Sequence, residues 1–215
     1  MIEIKNLYLS FTKEYDALHN VSLSIKDGQK VALVGDTDSG KTMLLRTIAG
    51  LEKFESGEVI LKNININKID FKQDISVGFV PKSFVLLNNK TVKENLEYVL
   101  KIRNIDRATI NLKVLTALKY FGIESIQTLK VKDLSNYQKI LLQLARVSMR
   151  KIDLFLIDDI FESLTDSERV NVMAKLKILL TENENSTFIF AFRDSKFAEE
   201  LNLDIVKLKY GCVIN

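Results

Sequence analysis

The chain has 215 residues, of which 47% are hydrophobic and 27% charged, with a formal net charge of +3 at pH 7. That length can bury a sizeable core, as one domain with a lobe or as two small subdomains, and the composition is ordinary globular usage, which excludes intrinsic disorder. The charge is too small, and Lys and Arg too scattered, to argue for nucleic acid, while a single cysteine, Cys212, excludes an internal disulfide framework and fits a reducing cytoplasm.

At the start, Met1-Ile2-Glu3-Ile4-Lys5 lacks the build of a signal peptide. Val21, Leu23 and Ile25 alternate with Ser22 and Ser24 as in an antiparallel strand, and Lys26-Asp27-Gly28-Gln29 turns the chain. Residues 30–34 form a short apolar run suited to a buried parallel strand. Directly after it comes Gly35-Asp36-Thr37-Asp38-Ser39-Gly40-Lys41-Thr42, a complete G-x-x-x-x-G-K-[ST] pattern, and Met43 to Ala49 then has helix-forming content that stops at Gly50. Strand, glycine-rich turn and helix are the context in which this pattern binds phosphate. Backbone N–H groups at a helix N-terminus converge on the anion, and the helix dipole favours negative charge there. Lys41 would reach the β- and γ-phosphates of a nucleotide, and the Thr42 hydroxyl would ligate Mg2+. Asp36 and Asp38 place two carboxylates in the loop, and both are expected to point outward or to lower the affinity for phosphate.

A second hairpin is expected around 58–61 and 63–66, leading to a strand at 75–80 that Pro81, the only proline, ends. From about 92 to 150 the pattern turns helical. Leu96, Val99, Leu100 and Ile102 mark one segment, and Leu112, Leu115, Leu118 and Phe121 mark another, stopped at Gly122. Beyond 150 come a strand at 154–157, a helix at about 167–180, a strand at 187–192, a helix at 195–201 and a strand at 205–208. Strands separated by helices imply a parallel sheet covered on both faces. The strand at 154–157 runs into Asp158 and Asp159; in phosphate-loop enzymes such a strand carries an aspartate that holds Mg2+, which suits Asp158. No apolar run approaches the roughly 20 residues that span a bilayer, so a membrane connection would come through a partner.

The order of these motifs resembles the ATP-binding cassettes of ABC transporters over nearly the whole chain. Ala17-Leu18-His19-Asn20-Val21-Ser22-Leu23 looks like the family's opening strand. Leu44-Leu45-Arg46-Thr47-Ile48-Ala49-Gly50-Leu51 with Ser56-Gly57-Glu58-Val59 is similar to the stretch after its phosphate loop, and Thr91-Val92-Lys93-Glu94-Asn95 resembles the approach to its helical lobe. The resemblance implies an α/β fold: a P-loop NTPase with a mainly parallel sheet core, an N-terminal antiparallel β subdomain and an inserted α-helical subdomain. A single cassette over 1–215 is expected, with the core at about 1–90 and 151–215 and the helical subdomain at about 91–150. ATP and Mg2+ are implied as ligands, with Gly35, Asp36, Thr37, Asp38, Ser39, Gly40, Lys41, Thr42 and Met43 around the nucleotide and Thr42 and Asp158 on the metal. Phe11, in preference to Tyr15, stands where the family stacks an aromatic on adenine; the alternative is an ordinary strand aromatic.

Several positions depart from the family. Its signature reads Leu-Ser-Gly-Gly-Gln, and residues 134–138 here are Leu-Ser-Asn-Tyr-Gln. In the family this segment caps the γ-phosphate of ATP held by the opposite subunit. Ser135 is kept, while Asn136 and Tyr137 replace glycines that let backbone N–H groups approach closely. Ser135-x-x-Gln138 also reads as a capping box starting the helix to Arg150, and a capped helix N-terminus is still an anion site, so both readings stand. Asp159 occupies the place of the catalytic glutamate with an arm shorter by roughly 1 Å, enough to cost about a hundredfold in rate. Lys82 aligns with the glutamine that senses Mg2+ and water, and Arg193 with the switch histidine. His19, the only histidine, lies in an early strand and is expected at the surface. Gln and neutral His both accept and donate hydrogen bonds and so can orient a water, whereas Lys and Arg only donate. Two cations near a γ-phosphate would attract ATP while doing less for the attacking water. Without nucleotide they could pair with Asp158 or Asp159, or stand as solvated loop residues.

The expected function is the ATP-binding subunit of an ABC-type transporter or related membrane complex. It would lie peripherally on the cytoplasmic face, bound to a transmembrane permease-like subunit, and close head to tail on a second cassette. Its ATPase would be slow because of Asp159, Lys82 and Arg193. The alternative is a pseudo-ATPase cassette that binds ATP as a structural or regulatory partner. The docking surface would be Phe84, Val85, Leu86 and Leu87 with the helical lobe, unless those side chains fill the lobe's own core. No nucleic-acid partner is expected, since cassettes of DNA repair or translation carry tandem copies or long insertions. A GTPase is disfavoured because Asn89-Lys90-Thr91-Val92 lacks the acidic residue that reads guanine.

Overall fold

The structure is a computed structural model that describes residues 1–12, 15–71, 73–103 and 105–214, and the side chains of all of these except 11, 12, 15 and 16. In chain order its strands and helices are β1 (Ile2–Thr12), β2 (Tyr15–Ile25), β3 (Lys30–Val34), α1 (Lys41–Ile48), β4 (Ser56–Leu61), β5 (Ile64–Asn65), β6 (Val77–Val80), α2 (Val92–Lys101), α3 (Arg107–Phe121), α4 (Asn136–Ser148), β7 (Leu154–Asp158), α5 (Asp166–Glu182), β8 (Thr187–Phe192), α6 (Ser195–Glu200), β9 (Asp204–Lys209) and β10 (Cys212–Ile214). They divide into two units, one of residues 1–79, 153–159 and 183–215, the other of 80–152 and 160–182.

The first unit carries two sheets. The antiparallel one runs β2-β1-β4-β5. In β1 the buried residues are Ile2, Ile4, Leu7 and Leu9, so the two-residue period breaks at Asn6, whose φ of 45° and the register shift between Ile4 and Leu7 mark a bulge that returns the apolar side chains to one face. The second sheet runs β10-β9-β3-β8-β7-β6, with β9, β3, β8 and β7 parallel and β10 antiparallel to β9. Its central strands are covered on both faces, which is why β3, β7 and β8 read as apolar runs rather than alternations. On one face Phe155 stacks on Phe188 at 4.3 Å, Phe190 and Phe192 continue the row, and α6 packs over β3, β8 and β9. On the other, Leu33, Leu156, Ile189 and Ala191 share a core with Leu44, Leu45 and Ile48 of α1 and with Leu18 and Val59 of the antiparallel sheet. This is the expected α/β architecture: a mainly parallel core sheet beside an N-terminal antiparallel β subdomain.

The second unit is helical. α2 packs on α3 and α4, α3 on α4, and α4 on α5. Thr91 with Glu94 and Ser135 with Gln138 form capping boxes at the starts of α2 and α4, and Gly122 ends α3 in the left-handed conformation. The expected helical span of 91–150 falls inside this unit, which also takes in 80–90 and 160–182.

Four expectations are corrected. Residues 17–23, likened to an opening strand, lie in β2; β1 precedes them, and its bulge breaks the alternation that would mark it. Ile66 starts a short 3-10 turn rather than ending a hairpin, and Ile75 and Ser76 precede β6 instead of belonging to it. Leu112 and Leu115 face outward at 68% and 55% exposure; the buried stripe of α3 is Ile110, Val114, Ala117, Leu118 and Phe121. Finally β10, three residues long, adds a strand beyond the expected set.

Candidate functional site

The turn from β3 into α1 is shaped by two close approaches. A Cβ on Gly35 would stand 2.1 Å from the Leu208 carbonyl oxygen, and one on Gly40 would stand 2.6 Å from the Ala17 carbonyl oxygen, at a φ of 96°. Only glycine fits either place. No side chain caps the first turn of α1, which leaves its N–H groups and the positive end of its dipole open to an anion. Asp36, Thr37 and Asp38 are exposed, while Ser39, Gly40 and Met43 are buried.

Lys41 folds back over this turn. Its Nζ donates to the carbonyls of Gly35 (2.7 Å) and Asp36 (2.6 Å) and to Ser39 Oγ (3.0 Å). Burial pushes its pKa below the ordinary lysine value, opposed by the carboxylates of Asp159, Asp158 and Asp36 and reinforced by Arg193. Thr42 Oγ1 donates to Asp158 Oδ1 at 3.1 Å, so α1 and the end of β7 bring together the two residues expected on a metal. Asp158 is 1% exposed. One carboxylate and one hydroxyl, both hard oxygen donors, suit Mg2+, which takes few protein ligands and completes its octahedron with phosphate and water. Among the described residues no group of three or more His, Cys, Asp or Glu could hold a metal ion, so this donor pair is the chemistry available.

Asp159, Arg193 and Lys82, expected at the catalytic and sensing positions, lie in ion pairs. In the first unit Asp159 leaves β7 with a φ of 39°, a conformation Asp tolerates better than most residues, and its Oδ2 stands 3.4 Å from Arg193 Nε. In the second unit Lys82 pairs with Glu162. Of the two expected acids, Asp159 takes Arg193. Ser135 caps α4: its Oγ accepts from Gln138 N (3.2 Å), and Gln138 Oε1 accepts from Ser135 N (3.0 Å). Tyr137 is half-buried, and desolvation, with the Glu168 carboxylate second, raises its pKa. His19 is exposed, edge-on to Tyr8 at 5.0 Å. The side chains of Phe11 and Tyr15 lie outside the described residues.

Sequence reasoning missed three polar residues of the second unit, of which Asn95 and Gln143 are buried and Arg146 is half-buried. Asn95, Gln143 and Arg146 bond the backbone of the segment after β6. Gln143 and Arg146 sit i, i+3 within the apolar run of α4, and a polar residue on a buried face was the signal available.

Comparison with known proteins adds to this geometry. The ABC transporter family model matches residues 18–162. The sn-glycerol-3-phosphate import ATP-binding protein UgpC of Burkholderia ambifaria is 32% identical over 83% of this chain and 49% of its own length. The spermidine/putrescine import ATP-binding protein PotA of Legionella pneumophila is 31% identical over 98% of this chain and 57% of its own. The chain thus spans about half the length of the curated relatives it matches. Among solved structures, the dimeric post-hydrolysis state of the ATP-binding cassette MJ0796 bound to ADP and Pi superposes with a TM-score of 0.88, at 28% identity over 100% of this chain and 97% of that one.

Proposed function

The chain belongs to the ABC transporter family, and we propose that it is an ATP-binding cassette that couples nucleotide binding, with slow hydrolysis, to conformational change in a membrane partner. The observation that carries this reading is the pairing of Thr42 with buried Asp158 beside Lys41 at the uncapped start of α1. ATP phosphates would replace the loop carbonyls as partners of the Lys41 ammonium and accept from the N–H groups of α1. Thr42 and Asp158 would hold Mg2+, which when bound neutralises charge developing on the phosphates. Asp159 is the candidate base. Its pairing with Arg193 supports slow turnover, because a carboxylate oxygen facing a guanidinium is not free to take a proton from water. Lys82 is carried into the same role only by its place in the motif.

Ser135, at the N-terminus of α4, is the proposed contact for nucleotide on a second cassette closing head to tail, and the dimeric structural relatives support a two-cassette assembly. Val85, 66% exposed in the second unit with Phe84, Leu86 and Leu87 half-buried around it, is the proposed seat of a permease-like subunit. Among the described residues no helix is long and apolar enough to cross a membrane, so peripheral attachment to the cytoplasmic face through that partner is part of the proposal. The import relatives favour import, and their two different cargoes leave this chain's cargo open.

Thermal unfolding with and without ATP and Mg2+, beside single-turnover phosphate release, tests the reading. Stabilisation with slow release is expected. Stabilisation with no release would favour the pseudo-ATPase alternative, and no stabilisation would sink both.

A further inference from the structure

The segment after β6 is held by side chains that all reach its backbone. Gln143 Nε2 donates to the Pro81 carbonyl at 3.2 Å, and Arg146 Nη1, one turn along the same face of α4, donates to the Val85 carbonyl at 2.6 Å. Asn95 of α2, fully buried, accepts from Leu87 N on Oδ1 (2.9 Å) and donates from Nδ2 to Leu87 O (3.2 Å). Bonds to backbone fix the path of 81–87 whatever its side chains are, and leave Lys82 and Val85 facing outward. Burying an amide costs free energy that apolar residues at these places would avoid. The arrangement is also not fully satisfied: Gln143 Oε1 and Arg146 Nε are buried without hydrogen-bond partners, three residues apart on one helix face.

We infer that Gln143 and Arg146, with Asn95, are positioning residues that join segment 81–87 and α4 into one body. A load on Val85, or a displacement of Lys82, is then carried along α4 to Ser135. The pinning rests on the hydrogen bonds alone; its use in coupling rests on the proposed cassette function.

Hydrogen exchange on the full chain tests it. In the wild type, amides of 82–87 and of α4 should open together as one cooperative unit. In the Gln143→Leu/Arg146→Met variant, amides of 82–87 should exchange about tenfold faster while α4 is unchanged, the loss expected for hydrogen bonds to a charged or buried donor. Lys41 and Thr42 are untouched, so the affinity for ATP with Mg2+ should hold while the single-turnover rate falls, a split between KM and kcat that a purely structural role would not produce. Arg146→Lys in the Gln143 wild-type background should keep most of the protection. Segment 82–87 exchanging faster than α4 in the wild type would overturn the inference, as would faster exchange in the variant with an unchanged rate, or a joint fall in rate and ATP affinity. A wild type that gains no stability from ATP would count against the proposed function, while the exchange comparison still decides the pinning.

Discussion

Lys41 and Thr42, on the one hand, and Lys82 and Arg193, on the other, are hydrogen-bond donors around the same expected chemistry, yet they are held in opposite ways. Lys41 gives three hydrogen bonds to its own loop, and Thr42 reaches a carboxylate sealed inside the core sheet. Lys82 and Arg193 are each 43% exposed at the side chain, and pair with the carboxylates of Glu162 and Asp159. Exposed ion pairs are worth roughly 0–1 kcal/mol, which describes Lys82 with Glu162 (40% exposed) better than Arg193 with the 12% exposed Asp159. Moving the buried Lys41 ammonium away from its three acceptors, with none in their place, costs about 1–3 kcal/mol. On the proposed function, the residues assigned to holding a nucleotide are thus fixed by the fold, whereas those assigned to hydrolysis stand in more exposed pairs.

The largest expected effect strikes the firm side. Lys41→Ala should weaken ATP about a hundredfold or more, the worth of hydrogen bonds from one charged group, measured by titration calorimetry. Asp158→Asn should remove most of the Mg2+ dependence of ATP affinity, by about thirtyfold, because a neutral amide replaces the charged ligand; an unchanged Mg2+ dependence would move the metal elsewhere. On the more exposed side, Asp159→Glu should raise single-turnover hydrolysis about tenfold by restoring reach, less than the full geometric penalty because Arg193 stays. If that variant remains inert, the defect lies with Lys82, Arg193 or the segment at 134–138. Arg193→Ala should change stability by less than about 1 kcal/mol and raise hydrolysis a few-fold by freeing Asp159, a combination that separates a latch from a structural bridge.

The smallest effect concerns pH. Burial holds Lys41 below the ordinary lysine value of 10.5. Between its lowered folded value and 10.5 the unfolded chain binds more protons than the folded one, so the contribution of Lys41 to stability rises with pH across that window. Urea melts at stepped pH should show that rise in the free protein and its flattening in Lys41→Met.

Much of the nucleotide-holding side could be read from the chain because it is local. Gly35 to Thr42 are contiguous, and Gly35, Gly40, Lys41 and Thr42 each answer a demand of one turn, so the pattern carries its own context. Strands β3, β7 and β8 were legible for a related reason: burial on both faces leaves a run that few other structures require. The failures share a cause as well. The bulge at Asn6 hid β1 from a two-residue period, and α3 offers leucines on both faces, so Leu112 and Leu115 looked as inward as Ile110 and Val114. β10 is too short to carry a period at all.

The sequence by itself therefore determined the α/β class, the phosphate loop with Lys41 and Thr42, and the acidic end of β7, because each depends on neighbours in the chain. Only the tertiary structure decided what those residues meet. It set Thr42 against Asp158 across 116 positions, gave Arg193 to Asp159 and Lys82 to Glu162, and assigned Asn95, Gln143 and Arg146 to the backbone of 81–87. A charged or amide side chain has several acceptable partners, and its choice is fixed by where burial leaves no water to compete, which packing sets and local pattern does not record.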